Sequence, residues 1–106
     1  MKIAIDFDNT IIEEVSYPCR EYTPKAHAFE IINKLNDDGH VLYLNTARYG
    51  WYFWDAVLFI KRHKLPIHVK ITPYKIPADL YIDDKNIGCD NIDWIEIYNI
   101  IKCNGG

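Results

Sequence analysis

A chain of 106 residues, 49% hydrophobic and 25% charged, is long enough for one core and too short for two, and its composition excludes a disordered tail. The formal charge of -3 leaves no basic footprint, which speaks against tight sequence-independent binding to nucleic acid without excluding a nucleic-acid end as a substrate. No apolar run approaches the roughly 18 residues of a membrane-spanning helix, and "MKIAID" is no signal peptide, so the expected compartment is the cytoplasm.

The first predicted element is a short strand, Ile3 to Ile5, apolar on both faces as in the centre of a parallel sheet. It runs into "DFDNT". Period-two alternation projects Asp6 and Asp8 the same way, and two carboxylates so close ask for a cation or a shared proton. A solvated turn or helix cap explains the same letters equally well when they are read alone. "EEVSYPCREYTP" then reads as a polar excursion with at most a short hairpin.

Thr23 and Pro24 offer an N-cap and a first helical position, and Ala28, Ile31, Ile32 and Leu35 recur at helical spacing until Asp37-Asp38-Gly39 closes the segment. The strand "HVLYLNT" follows. "YGWYFWDAVLFIKRHKLP" predicts a second helix, apolar on nearly every side from Trp51 to Ile60 and ended by Pro66. A strand at Ile67 to Ile71, a turn at Thr72-Pro73, a strand at Leu80 to Ile82 and a helix around Asn91 to Ile101 complete the series.

Strands alternating with helices imply an α/β fold, a three-layer α/β/α sandwich around a mainly parallel Rossmann-like sheet, with residues 1–106 as one domain. Ligands in such sheets bind beyond the carboxyl ends of the strands, where the strand order reverses. Asp6 and Asp8, Asn45 and Thr46, and Asp83 and Asp84 all fall at such ends, with Lys75 on the segment leading into the last strand.

In that order, "DFDNT", "LNT", Lys75 and "YIDD" resemble the four motifs of the haloacid dehalogenase superfamily of aspartate-nucleophile phosphohydrolases, over nearly the whole chain. The resemblance implies a phosphatase in which Asp6 attacks phosphorus and Asp8 moves protons to the leaving group and from water. It implies that Thr46 and Lys75 hold the phosphoryl group. It also implies that Mg2+ sits on Asp6, the Asp8 carbonyl and the acidic pair, with Asp84 as the direct ligand and Asp83 assisting. Asn9, Thr10, Asn45, Ala47 and Arg48 complete the expected phosphate- and substrate-binding set. Taken singly, each has a bland counterpart: Thr46 as a helix cap, Lys75 as an exposed lysine, Asp83-Asp84 as turn residues.

Lys70 competes for the lysine role but lies within a predicted strand, whereas Lys75 has the family's spacing to "ADLYIDD". Arg48 reaches either a substrate group or a surface carboxylate. The four histidines show no ligand spacing, and the three cysteines lack a Cys-x-x-Cys pair, so buried reduced thiols and no zinc are expected.

The intervals between motifs leave no room for the inserted cap domain that many members carry. An open site implies a macromolecular substrate, or a neighbouring subunit over a phosphorylated small molecule, and the run Trp51 to Trp54 is either that interface or a helix buried on two sides. Two other classes stay open: a phosphate-binding or regulatory protein that barely turns over, and a phosphoacceptor receiver domain.

Overall fold

The computed structural model describes residues 1–13, 22–70, 77–83 and 93–103. Its strands are β1 (Lys2–Ile5), β2 (Val41–Leu44), β3 (Ile67–His68) and β4 (Leu80–Ile82); its helices are α1 (Ala28–Asp37), α2 (Gly50–Arg62) and α3 (Trp94–Cys103). The strands form one parallel sheet in the order β3-β2-β1-β4. The chain steps outward from β1 to β3 and then returns to the other side of β1. The order therefore reverses between β1 and β4, and the crevice for a ligand belongs beyond their carboxyl ends.

Register decides which side chains meet. Ile3 lies opposite Leu42 and Leu80, Ile5 opposite Leu44 and Ile82, and Leu42 opposite Ile67. Alternation puts this set on one face, where it joins Ile31, Ile32 and Leu35 of α1, Phe59 and Ile60 of α2, and Trp94, Ile97 and Ile101 of α3 in a single buried cluster. The other face carries Ala4 between Tyr43 and Tyr81. The α/β parallel architecture is as expected. All three described helices feed the one core, so the sandwich's further helical layer is not represented among the described residues.

Both helix ends that the sequence marked are closed by the same device. At α1, the amides of Gly39 and His40 bond back to the carbonyls of Asn36 and Leu35. This Schellman closure needs the positive φ of 95° that Gly39 adopts. At α2, Lys64 and Leu65 bond back to Lys61 and Ile60 in the same way, with Lys64 at φ 53° just before Pro66. At α3, the Asp93 carboxylate accepts the amides of Ile95 and Glu96.

Three boundaries differ from expectation. Thr23-Pro24 does not start α1: the Glu13 amide donates to the Thr23 carbonyl, and Ile12 bridges Pro24 antiparallel, so those residues are spent on that pairing and the helix begins after His27. β3 is paired only at Ile67 and His68, and Ile71, Thr72 and Pro73 lie outside the described residues. α3 starts at Trp94, with Asn91 also outside them. No described helix is long and apolar enough to cross a membrane.

Candidate functional site

The ladder runs one residue past β1 on both sides. The Asp6 amide donates to the Ile82 carbonyl at 3.0 Å and the Asn45 amide to the Ile5 carbonyl at 2.8 Å. Each of Asn45, Asp6 and Asp83 therefore stands one step beyond a paired residue, in a single row across β2, β1 and β4. Neighbouring strands are about 4.8 Å apart, so the row sets two carboxylates and an amide side by side at the switch point. The Phe7 amide donates to Asp6 Oδ1 at 2.8 Å and fixes that carboxylate against its own backbone.

These donors are hard oxygens, the kind that suits Mg2+ rather than a thiophilic metal. Among the described residues, no group of three or more His, Cys, Asp or Glu side chains converges on one point. Asp84, the ligand implied by the resemblance, lies outside the described residues, as does Lys75. Lys70 sits with its Nζ 4.9 Å from the centre of the Tyr43 ring.

Asp8 is not the strand neighbour of Asp6 that alternation suggested. β1 ends at Ile5, and the chain turns so that Thr10, Ile11 and Ile12 all direct their amides at the Phe7 carbonyl, with Asn9 at φ 55°. Asn tolerates that left-handed conformation better than most residues. The cation that meets Asp8 is a guanidinium. Arg48 donates from Nε at 2.7 Å and from one terminal nitrogen at 2.5 Å, a two-pronged pair. Of the two destinations open to Arg48, the structure selects a carboxylate, and that carboxylate belongs to the candidate site.

Arg48 is the most enclosed charge of the site, its side chain 2% exposed against 40% for Asp8. Its other terminal nitrogen donates to the Tyr22 hydroxyl at 2.9 Å and to the Tyr52 carbonyl at 3.2 Å. The guanidinium also lies 3.6 Å from the centre of the Tyr52 ring, with the Phe7 and Tyr22 rings farther off. Burial works against its charge, but the bonds to Asp8 and Tyr22 outweigh it and hold Arg48 protonated beyond its ordinary range. The Tyr22 hydroxyl donates in turn to Asp55, which is buried. Burial and that acceptor push the Tyr22 phenol above its usual value, while Arg48 pulls the other way.

The remaining site residues divide. Asp8, Ala47 and Arg48 line a pocket of about 590 Å³ with Tyr49, Gly50, Trp51 and Tyr52. Thr46 does not cap α2, whose N-cap is Tyr49; its hydroxyl accepts the Arg48 amide at 3.2 Å and keeps its own proton for another acceptor. Thr10 is a correction. Its side chain is fully buried, does not line the pocket and leaves Oγ1 without a hydrogen-bond partner, while its backbone carbonyl accepts the Trp94 indole N–H at 2.8 Å.

Two other expectations change. Of the two readings of the run Trp51 to Trp54, burial on two sides does not hold for Trp51 and Trp54, which are about half exposed and with Leu58 form a stripe along α2. Cys103 is an exposed thiol, not a buried one, and Cys19 and Cys89 lie outside the described residues. Sequence reasoning missed Tyr22 and Asp55. Asp55 did leave a signal, an acid in an otherwise apolar helix wheel, since such a residue is buried only with partners; Tyr22 left none.

Among solved structures, the chain is similar to the conserved protein coded by a locus of Bacteroides thetaiotaomicron. The match has a TM-score of 0.82 and 33% identity over 98% of this chain and 91% of that one. No family model matches the chain, and no curated protein does.

Proposed function

Because the chain belongs to the same family as the conserved Bacteroides thetaiotaomicron protein and brings Asp6 to the switch point of its sheet, we propose that it is a phosphomonoesterase that uses Asp6 as nucleophile and Mg2+ as cofactor. One observation carries this reading: the row Asn45, Asp6, Asp83 at the carboxyl ends of three strands, with Asp8 on the turn beside it.

Asp6 attacks phosphorus through one carboxylate oxygen, the bond to the leaving oxygen breaks, and an aspartyl phosphate forms. A water then attacks that phosphorus, Asp8 accepts its proton, and the bond to Asp6 breaks to release inorganic phosphate. The two N–H bonds from Arg48 fix the orientation of the Asp8 carboxylate and leave lone pairs on it for the proton of the water. Thr46 offers its hydroxyl proton to a phosphoryl oxygen. Asp6, the Asp8 carbonyl, Asp83 and Asp84 are the groups that would hold Mg2+, which supplies charge neutralisation to the phosphoryl oxygens. The pocket beside Asp8 receives the leaving group, which belongs to a phosphorylated small molecule or the phosphorylated end of a macromolecule.

A second reading, a phosphate-binding or regulatory protein that turns over slowly, is favoured by the clamp on Asp8, since a group that must move protons is there restrained by a buried partner. Hydrolysis decides between them. Purified protein should cleave an aryl phosphate with Mg2+ and stop on addition of a chelator. Cleavage that survives the chelator removes the metal from the mechanism, and folded protein that cleaves no phosphomonoester overturns the enzyme reading in favour of the second.

The exposed stripe Trp51, Trp54 and Leu58 supports a companion reading in which a second copy of the chain packs on α2. Sedimentation should then show a dimer that Trp54→Glu converts to monomer. A wild-type monomer at all concentrations tested removes this reading.

A further inference from the structure

Four side chains from four parts of the chain make one continuous line of hydrogen bonds. Asp55, inside α2, accepts from the Tyr22 hydroxyl; Tyr22 accepts from Arg48; Arg48 donates twice to Asp8. The line runs outward, from a buried carboxylate through a buried guanidinium to a carboxylate on the pocket wall. A long, flexible side chain held at both ends loses its choice of rotamer, so its far partner is fixed too. Rings complete the sleeve: Phe7 stands edge-on to Tyr22, both meet Phe59, and the guanidinium stacks on Tyr52.

Simpler accounts of this cluster fit less well. A plain ion pair for stability would not need Tyr22 and Asp55, and burying charge for stability alone is a poor exchange against apolar packing. A phosphate-binding arginine would present several N–H groups to the pocket; here four of the five on the guanidinium are committed to Asp8, Tyr22 and the Tyr52 carbonyl.

We infer that Arg48 is a positioning residue for Asp8, and that Tyr22 and Asp55 set its place, so that the angle at which Asp8 meets water is fixed from the interior of α2. This rests on the functional reading above for its consequence, but the coupling itself does not. Tyr22 and Asp55 touch no reacting atom. They act through Arg48, by holding the guanidinium where both prongs reach Asp8.

The test separates coupling from catalysis. The Nε–H signal of Arg48 is read by proton–nitrogen correlation, with Arg48→Lys identifying it by its disappearance. In Tyr22→Phe and Asp55→Asn that signal should move in the direction it moves in Asp8→Asn, and its exchange with solvent should speed by about tenfold, the scale of one hydrogen bond to a charged group. In parallel, aryl phosphate turnover should fall about tenfold in kcat with KM nearly unchanged, and the phosphoenzyme trapped at steady state should rise, because the water step is the one Asp8 serves. Tyr22→Phe should cost nothing further in an Asp8→Asn background. A merely structural Tyr22 would lower the active fraction, leave the phosphoenzyme share unchanged and act additively with Asp8→Asn.

An Arg48 signal unchanged in both variants overturns the coupling whatever the enzyme does. A signal that moves while kcat and phosphoenzyme share stay at wild-type values, with Asp6→Asn inactive, overturns the positioning role and leaves the phosphatase reading standing. A signal that moves in a protein whose wild type cleaves nothing supports the coupling and overturns the functional reading instead. Should either single variant fail to fold, Tyr22→Phe with Asp55→Leu removes the hydroxyl and the buried carboxylate together, and the Arg48 signal is read there.

Discussion

Asp6→Asn should abolish the proposed aryl phosphate hydrolysis, with kcat lower by at least about a thousandfold, because an amide of the same shape is a poor nucleophile toward phosphorus. The fold should survive the change. One contact that fixes Asp6 locally is the Phe7 amide on Oδ1, and an Asn side-chain oxygen accepts the same bond. Its backbone amide still donates to Ile82, so the ladder between β1 and β4 is untouched. Circular dichroism and thermal melting should therefore match wild type while turnover vanishes. A folded Asp6→Asn protein with ordinary turnover would remove the phosphoenzyme and return Asp6 to the status of a strand-end residue. Partial loss, with Mg2+ affinity weakened in proportion, would instead assign Asp6 to the metal alone.

What the sequence made legible was local in range. The stripe of α1 and the strands around Asp6 and Asp83 were readable from period and from turn residues, because each signal lies within one element. The start of α1 was not. Thr23-Pro24 has good cap chemistry, but its backbone is already engaged with Ile12 and Glu13, and only the folded chain reveals that competition. The clamp on Asp8 was hidden for the same reason on a longer scale: Asp8 and Arg48 are 40 residues apart, Tyr22 and Asp55 33.

The paired aspartates show how a local rule leaves out a long-range partner. Crowded carboxylates do call for positive charge. Read alone, "DFDNT" asks for a cation without naming Arg48. For Asp8 the positive charge in the structure is Arg48, delivered from the loop after β2 and held from behind by Tyr22. Asp6 and Asp83 stand as a carboxylate pair at the switch point, one step beyond the paired Ile5 and Ile82.

Trp94→Ala should destabilise the chain by about 3–5 kcal/mol, the usual cost of emptying a large buried aromatic site. Trp94 is 1% exposed and opens α3, and its indole N–H donates to the Thr10 carbonyl at 2.8 Å, deep in the core. Domains of this size have only about 5–15 kcal/mol in total, so the melting temperature should fall on the order of 20 °C. Packing and the hydrogen bond separate in Trp94→Phe, which keeps most of the ring volume but leaves the Thr10 carbonyl without its donor, at about 1–3 kcal/mol. Thr10 follows Asp8 and Asn9 on the turn, so this one bond ties the last helix to the loop that bears the proposed base. Denaturant unfolding of both variants measures the two contributions. If Trp94→Phe is as stable as wild type, the indole bond does not anchor that loop, and the position of Asp8 depends on the Arg48 side alone.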